Sequence, residues 1–393
     1  MFFKRDILFK LETELETKEA ILITGMRQVG KTTTLNHLFG LIKSENKALL
    51  DLGNPLYRKV FEEENFDAVW NNLRQFNITN TEKAYIFLDE IQNLPKVSSV
   101  VKYLYDHWKV KFFLTGSSSY YLKNLFPESL AGRKIVFEIF PLTFSEFLRF
   151  KGRQKETYLG FSQKAQMKNR IAYEQNIPYY KEYIQFGGFP AVVLEEKEDR
   201  KRILLQEIFT SYFEKDAKNL ADFREMSKLR DIILLLTSRI GQRLEIGKLA
   251  SELSVSRETV YNYLAFLEKT YFISLLPKFS ESIDRQAAGS KKLYFCDGGI
   301  ASALGRLSDG QLFEQSVFQN LRRNYLLNFY SKEGKSEIDF VVDKKTALEV
   351  KVTAGRNDIE NLQRRAKSLG LTERYIVSLN YDSHQEVILA TDL

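Results

Sequence analysis

The sequence predicts an α/β protein whose N-terminal part is a three-layer sandwich around a parallel sheet. Short apolar runs alternate with stretches of helical periodicity, which favours strands connected by helices. The first run leads directly into a glycine-rich turn and a helix, an order typical of sheets that bind ligands at the carboxyl ends of their strands. The predicted strands are 20–24, 47–51, 85–88, 111–115 and 135–140.

The turn after the first strand carries the pattern of a phosphate-binding loop. Gly25, Gly30, Lys31 and Thr32 fit the spacing G-x-x-x-x-G-K-[ST]. Backbone N–H groups close around a phosphate only where side chains are absent and φ is free, which explains the glycines. Lys31 is predicted to neutralise the phosphates of ATP and Thr32 to hold Mg²⁺; the alternative is a glycine-rich turn without a ligand. The predicted nucleotide contacts are Gly25, Met26, Arg27, Gln28, Val29, Gly30, Lys31, Thr32 and Thr33.

Two acidic residues follow the strand at 85–88. Asp89 stands at the strand end, where its carboxylate would reach the metal held by Thr32. Glu90 is then placed to orient or deprotonate the attacking water. The alternative is an acidic strand end at a solvated edge of the sheet.

The segments after the strand at 111–115 offer two further candidates. A hydroxyl at the carboxyl edge would sense the γ-phosphate, and Thr115 or Ser117 would supply it; a plain serine turn is the alternative. Arg133, before the last strand, is a candidate arginine finger directed at a phosphate of its own chain or of a neighbour. A local salt bridge is the alternative. An arginine finger acting between copies would favour a homo-oligomer.

The overall composition indicates an ordinary globular protein. The chain has 393 residues, 44% of them hydrophobic and 28% charged, and this length suggests about two to four domains. The net charge of +7 permits nucleic acid as a partner without requiring it. The single Cys296 and the lack of a signal-peptide or membrane-spanning pattern predict a cytoplasmic protein without a membrane partner.

The remaining helical patterns precede the first strand, connect later strands of the sandwich, and continue beyond it. Residues 1–19, 61–76 and 97–108 are predicted to be helical, and 151–241 contains helical periodicity without strand signals. Gly187-Gly188-Phe189-Pro190 is predicted to be a tight turn between two of these helices.

Residues 244–279 predict a helix-turn-helix. A short helix at 247–253 precedes a second helix that is capped by Ser256 and ends near 270. Val260, Leu264 and Leu267 recur on the face that packs inward. Strands at 272–276 and 292–295 would form a wing.

The outward face of the second helix is a candidate nucleic-acid contact. Arg257, Thr259 and Asn262 point away from the predicted core, near the start of the helix, where such modules contact base edges. Few positive charges accompany them, whereas duplex binding depends on neutralising phosphates. Direct contact with DNA and a docking role within the protein therefore both stay open.

A string of motifs resembles prokaryotic AAA-superfamily ATPases with a C-terminal domain of unknown function. It comprises GMRQVGKTT, FLDEIQ, FLTGSSS, LAGR, the run 137–147, GGFP at 187–190 and YFEKD at 212–216. The resemblance implies an AAA-type P-loop ATPase core at 1–150, a helical lid at 151–241, a winged helix at 242–300 and a nuclease-like domain at 301–393.

The C-terminal stretch resembles the PD-(D/E)xK nuclease superfamily, which has a restriction-endonuclease-like α/β fold. Glu314 lies in a helical run at 311–327, Asp339 in a strand at 336–342, and Glu349 and Lys351 in a strand at 347–352. The resemblance implies that Glu314, Asp339 and Glu349 bind Mg²⁺, and that Glu349 and Lys351 take part in catalysis. The alternative is a half-exposed hairpin with alternating polar residues.

Together these patterns predict an ATP-hydrolysing protein whose nucleotide state moves the lid and the winged helix and delivers the nuclease-like domain to nucleic acid or to a partner protein. One alternative is a regulatory switch that docks partner proteins and has an inactive nuclease-like fold. Another is a DNA-bound ATPase without cleavage activity.

Overall fold

The computed structural model describes residues 2–116, 130, 132–154, 158, 160–217, 226–280, 282, 289–332 and 336–393. The chain forms two compact units. The N-terminal unit contains residues 1–140, 211–221 and 269–271, and the C-terminal unit contains residues 141–210, 222–268 and 272–393. Within the described ranges, no helix combines the length and the apolar character that crossing a membrane requires.

The N-terminal unit is built on a five-stranded parallel sheet with the order β2-β3-β4-β1-β5. This sheet confirms the predicted α/β class. Every residue of β1, β3 and β4 is buried, because a doubly covered parallel sheet exposes neither face. The strands are β1 (Ala20–Thr24), β2 (Lys47–Asp51), β3 (Ala84–Asp89), β4 (Val110–Gly116) and β5 (Lys134–Glu138).

Two helices of this unit are shorter than the sequence predicts. Only α1 is helical within the stretch 1–19, and the stretch 61–76 becomes helical at Phe66. There the side-chain oxygen of Asn65 accepts a hydrogen bond from the Asp67 N–H at 2.9 Å and caps the helix. The helices are α1 (Ile7–Thr13), α2 (Lys31–Leu41), α3 (Pro55–Lys59), α4 (Phe66–Leu73) and α5 (Val97–His107), and a 3₁₀ turn at Arg74–Phe76 extends α4.

The C-terminal unit begins with helices, as the periodicity of 151–241 predicts. The turn at Gly187 and Gly188 separates two of them, and a Cβ on Gly188 would lie 2.3 Å from the carbonyl oxygen of Leu142. This close approach requires glycine. The helices are α6 (Phe144–Phe150), α7 (Gly160–Gln166), α8 (Arg170–Phe186), α9 (Pro190–Leu194), α10 (Glu198–Ser211) and α11 (Met226–Thr237).

A pair of helices and a hairpin follow. Helices α12 (Ile246–Leu253) and α13 (Arg257–Lys269) precede β6 (Ile273–Leu276) and β7 (Lys292–Phe295), which pair antiparallel. The Thr259 N–H donates to Ser256 Oγ at 3.0 Å, which is the predicted cap of α13. On its other side β7 forms isolated bridges to Ile240 and Arg243, so β7 is an inner strand.

A second five-stranded sheet, with the order β12-β11-β10-β9-β8, completes this unit. Strands β9 and β10 pair antiparallel, whereas β10, β11 and β12 are mutually parallel. The prediction of a helix through Leu327 is wrong, because the helix ends at Leu321 and Leu327 opens β8. The elements are α14 (Gly298–Leu304), α15 (Asp309–Leu321), β8 (Leu327–Lys332), β9 (Ser336–Val342), β10 (Thr346–Lys351), α16 (Arg356–Ser368), β11 (Glu373–Ser378) and β12 (Val387–Leu389).

Candidate functional site

The loop between β1 and α2 has the backbone shape that the glycine spacing predicts. Gly25, Gln28 and Gly30 have φ values of 151°, 62° and 99°, conformations in which glycine is favoured. A Cβ on Gly25 would lie 2.1 Å from the carbonyl oxygen of Ile139. Gly30 then leads into α2, so that the loop sits at the N-terminus of a helix, where backbone N–H groups favour anions.

Lys31 is buried and directed back at the loop. Its Nζ donates to the carbonyl oxygens of Gly25 at 3.0 Å and Met26 at 2.8 Å. Burial lowers the pKa of Lys31 to about 8, although Glu90, Asp216 and Asp89 act in the opposite direction. An anionic ligand at this loop would therefore offset the energetic cost of burying the charged ammonium group.

Thr32 and Asp89 come together as predicted. Thr32 Oγ1 donates to Asp89 Oδ2 at 2.7 Å. Asp89 is buried, and its other carboxylate oxygen accepts a hydrogen bond from the hydroxyl of Thr115. A hydroxyl and a carboxylate oxygen are ligands that Mg²⁺ prefers, so the residues at this position fit the ion.

Glu90 adopts a left-handed backbone conformation with φ of 54°. Its N–H donates to Asp89 Oδ1 at 3.1 Å and to Thr115 Oγ1 at 3.2 Å, which holds the turn. The Glu90 carboxylate accepts a hydrogen bond from the side-chain amide of Gln92. A non-glycine residue held in this region is sterically unfavourable, and such residues occur preferentially at functional sites.

Two arginines support the loop, and the sequence analysis did not predict either contact. Arg5 is buried and donates to the carbonyl oxygens of Val29 at 2.7 Å and Phe140 at 2.8 Å. Arg27 Nε lies 3.0 Å from both carboxylate oxygens of Asp216. Asp216 belongs to the YFEKD motif at 212–216, and this motif is the feature of the sequence that marks the residue. No residue pattern indicates that its partner is Arg27.

The remaining residues predicted near the phosphates have different outcomes. Ser117 lies outside the described residues, and Thr115, the other candidate, contacts Asp89 and Glu90. Arg133 precedes β5, so it stands at the amino edge of a parallel sheet whose carboxyl edge carries the loop. The five residues of β5 separate the two edges by about 16 Å. The interpretation of Arg133 as a finger for its own nucleotide is therefore wrong; its Nε pairs with Asp106 Oδ1 at 3.0 Å, the predicted alternative.

The face of α13 has the exposure that the sequence predicts. Arg257 and Asn262 are exposed and Thr259 is half-buried, while Val260, Leu264 and Leu267 are buried. Arg257 and Thr259 stand in the first turn of the helix. A role for this face in contacting nucleic acid stays a prediction.

Glu314, Asp339 and Glu349 line one cavity of about 520 Å³, on α15, β9 and β10. The Val350 N–H donates to Asp339 Oδ2 at 2.9 Å, which joins the two strands at this point. Burial raises the pKa of Glu314 and of Glu349, and the charge of Asp339 adds to the rise in both. The structure thus brings the three predicted carboxylates into one cavity.

Basic side chains already pair with these carboxylates. Lys292 Nζ lies 3.1 Å from Glu314 Oε1 and 3.3 Å from Asp339 Oδ1. Glu349 pairs with Lys351 at 3.1 Å and with Arg365 at 3.3 Å. Across the described ranges, no three carboxylate, imidazole or thiol groups form an arrangement that could hold a metal ion. These residues therefore do not fit the metal site that the nuclease resemblance implies.

Comparisons with known proteins divide the chain into matched segments. A family model described as "AAA domain" matches residues 17–148, and two described as domains of unknown function, DUF8612 and DUF4143, match residues 177–311 and 309–389. The uncharacterized protein MJ1544 of Methanocaldococcus jannaschii is 30% identical over 347 residues, which cover 84% of this chain and 74% of that protein. The chain belongs to the MJ1544 family.

A further relative of this MJ1544-family chain is an uncharacterized protein of Haemophilus influenzae, 25% identical over 414 residues that cover 100% of this chain and 98% of that protein. Among solved structures, the Aeropyrum pernix ORC1 protein in complex with DNA matches with a TM-score of 0.34 and 13% identity, covering 77% of this chain and 92% of that one.

The family matches confirm the AAA domain and the C-terminal domain of unknown function that the resemblance implies. The AAA match spans the whole phosphate loop together with Asp89 and Glu90, so the chain contains an AAA-type ATPase domain of the nucleotide-binding class. The DUF4143 match likewise confirms the predicted C-terminal domain of unknown function. The descriptions of DUF8612 and DUF4143 name no activity.

Proposed function

We propose that this protein is a Mg²⁺-dependent ATPase. The observation that carries the proposal is the convergence of Thr32 and Asp89, whose side-chain oxygens are 2.7 Å apart beside the buried Lys31. Thr32 lies on α2 and Asp89 ends β3. The hydroxyl of Thr32 and the carboxylate of Asp89 are the groups that their predicted roles in binding Mg²⁺ require. The AAA match over residues 17–148 supports the same activity.

Each residue has a defined task in this proposal. The loop N–H groups and Lys31 bind the phosphates of ATP, and Lys31 exchanges its two carbonyl acceptors for phosphate oxygens. Thr32 and Asp89 would hold Mg²⁺, which when bound neutralises charge on the β- and γ-phosphates. Glu90 accepts a proton from the attacking water, and its turn is kept in place by Asp89 and Thr115.

We further propose that the nucleotide state controls the C-terminal unit. Asp216, which pairs with Arg27 of the loop, lies in the segment 211–221 between helices α10 and α11. A triphosphate brings negative charge to the loop that carries Arg27, and this charge competes with the Asp216 carboxylate for the guanidinium. Asp216 lies in the π-helix Tyr212–Ala217, which directly follows α10, so a change in that pair would be passed to α10.

We propose that the helical lid, the winged helix and the nuclease-like domain that the resemblance implies follow the ATPase core. Helices α12 and α13, the hairpin β6–β7 and the bridges to residues 240 and 243 support a winged helix, for which we propose contact with DNA. The helix α15 and strands β9 and β10 support a nuclease-like fold.

A second candidate function is a nucleotide-gated switch that docks a partner protein and cleaves nothing. The basic residues that pair with Glu314, Asp339 and Glu349 favour this candidate over cleavage. Both candidates bind ATP at the same loop, but the switch would turn ATP over slowly or not repeatedly.

Titration calorimetry, which measures binding of Mg-ATP, and an assay of phosphate release together test the ATPase proposal. Wild type should bind Mg-ATP and release phosphate, and Lys31→Ala should lose binding, because the phosphate charge loses its counterion. Lys43→Ala, at an exposed lysine just beyond α2, is the matched control and should behave as wild type. Correctly folded wild type that gives no binding heat and no phosphate release would remove the basis of the proposal.

A further inference from the structure

Lys292 is a buried lysine at the centre of an acidic cluster. Its side chain is 2% exposed, and its Nζ lies 2.8 Å from Glu337 Oε1, 3.1 Å from Glu314 Oε1 and 3.3 Å from Asp339 Oδ1. The Tyr294 hydroxyl, two residues along the same strand, donates to Glu314 Oε1 at 2.6 Å. A single ammonium group therefore faces three carboxylates from α15 and β9.

The electrostatics keep this ammonium group charged. Burial alone would lower the pKa of Lys292, but Glu314, Asp339 and Glu337 outweigh it and raise the pKa above its ordinary value. A buried charge of this kind is tolerated only when opposite charges surround it. A divalent cation at the same place would meet a fixed positive charge within hydrogen-bonding distance of its ligands.

The backbone holds Lys292 in this position. Strand β7 pairs with β6 on one side, Lys292 forms a bridge with Arg243 on the other, and the Leu244 N–H donates to the Lys291 carbonyl at 2.9 Å. A residue on an inner strand cannot swing away as a surface lysine can. The strand pairing fixes the backbone of Lys292, and the three ion pairs fix its ammonium group.

Glu349, the remaining predicted ligand, has its own basic partners in Lys351 and Arg365. Arg365 Nη1 also donates to the carbonyl of Glu337, which holds the guanidinium against β9. Metal binding by Glu349 would therefore have to break these contacts as well.

We propose that the Lys292 ammonium takes the place of a divalent cation in the cluster of Glu314, Glu337 and Asp339, so that this cavity binds neither Mg²⁺ nor Mn²⁺. The nuclease-like fold then serves as a rigid module that needs no metal. This inference is independent of ATP hydrolysis, which uses other residues.

Electron paramagnetic resonance of Mn²⁺, titrated into the nucleotide-free full-length chain, tests the proposal. Wild type and its Asp339→Asn variant should bind the same amount of Mn²⁺, because Asp339 holds no metal. Lys292→Met should gain one site, because the carboxylates lose their internal cation, and Lys292→Met combined with Asp339→Asn should lose it again. Lys332→Met removes a charge from an exposed lysine that lines the same cavity, and it should gain no site.

Two results would overturn the proposal. One is a Mn²⁺ site in wild type that Asp339→Asn removes, a comparison that does not require the Lys292 variant to fold. The other is a folded Lys292→Met, by circular dichroism and gel filtration, that gains no site. As a second measurement, Mn²⁺ should raise the melting temperature of Lys292→Met by several degrees and leave that of wild type unchanged.

Discussion

Arg27 Nε lies 3.0 Å from both carboxylate oxygens of Asp216, 189 positions later in the chain. The Asp216 side chain is 3% exposed and that of Arg27 is 21% exposed. A buried anion therefore stands beside a loop whose proposed ligand is a triphosphate. Asp216 also acts electrostatically on Lys31, so this carboxylate is part of the charge balance of the site.

We expect Asp216→Asn to bind Mg-ATP about 3- to 10-fold more tightly, because the variant removes a charge repulsion of about 0.7 to 1.4 kcal/mol from the site. The variant should also unfold more easily, by about 1–2 kcal/mol, since Arg27 loses its counterion. Calorimetry and thermal melting measure both effects. Asp106→Asn breaks the exposed pair with Arg133 and is the control; weaker ATP binding by Asp216→Asn would contradict the competition between carboxylate and phosphate.

Glu90→Gln should bind Mg-ATP as wild type does but hydrolyse it about 10²- to 10⁴-fold more slowly, because the amide cannot accept the proton of the attacking water. Phosphate release under saturating ATP measures the rate, and calorimetry measures binding. Glu62→Gln, at an exposed position, is the matched control. A wild-type rate in Glu90→Gln would reject the assigned role.

The affinity for Mg-ATP should fall as pH rises above 8. Burial lowers the pKa of Lys31 to about 8 in the free protein, with Glu90, Asp216 and Asp89 raising it and Arg27 lowering it. Bound phosphates favour the protonated form, so above pH 8 binding requires proton uptake and the dissociation constant rises up to tenfold per pH unit.

The effect on stability has the opposite sign. Between about pH 8 and 10.5 the unfolded chain keeps the Lys31 proton that the folded chain has lost, so this group favours folding as pH rises through that window. If the affinity for Mg-ATP falls above pH 8 while the stability of the fold does not, the titrating group is Lys31. Lys31→Arg, whose guanidinium does not titrate, should bind with a flat profile, and a wild-type profile that stays flat to pH 10 would contradict the assignment.

Contact of α13 with DNA predicts a distinct response for two residues. Arg257→Ala should weaken duplex binding and reduce the slope of log affinity against log salt by about 1, as expected for one phosphate contact. Asn262→Ala should lower sequence discrimination by about 1–3 kcal/mol. Arg230→Ala, at an exposed arginine on α11, is the control. Binding that is insensitive to salt, or equal in Arg257→Ala and Arg230→Ala, would favour the docking role.

The phosphate loop was predictable because its determinants are local. The glycines, Lys31 and Thr32 lie on one strand-loop-helix unit. Asp89 ends β3, a parallel strand that is separated from β1 by β4, at the same edge of the sheet. The position of Arg133 depends instead on the direction of a strand. Its place in the chain suggests proximity to the phosphates, but only the direction of β5 puts it at the other edge.

The sequence by itself determined the α/β class and the phosphate loop, because the order of apolar runs and the glycine spacing are local patterns. It indicated Glu314, Asp339 and Glu349 only through the resemblance to the PD-(D/E)xK superfamily. The tertiary structure alone decided which charges meet. Arg27 finds Asp216 and Lys292 finds Glu314, Glu337 and Asp339. Such pairs join residues that are remote in the chain, and their energy depends on distance and burial, which local patterns do not encode.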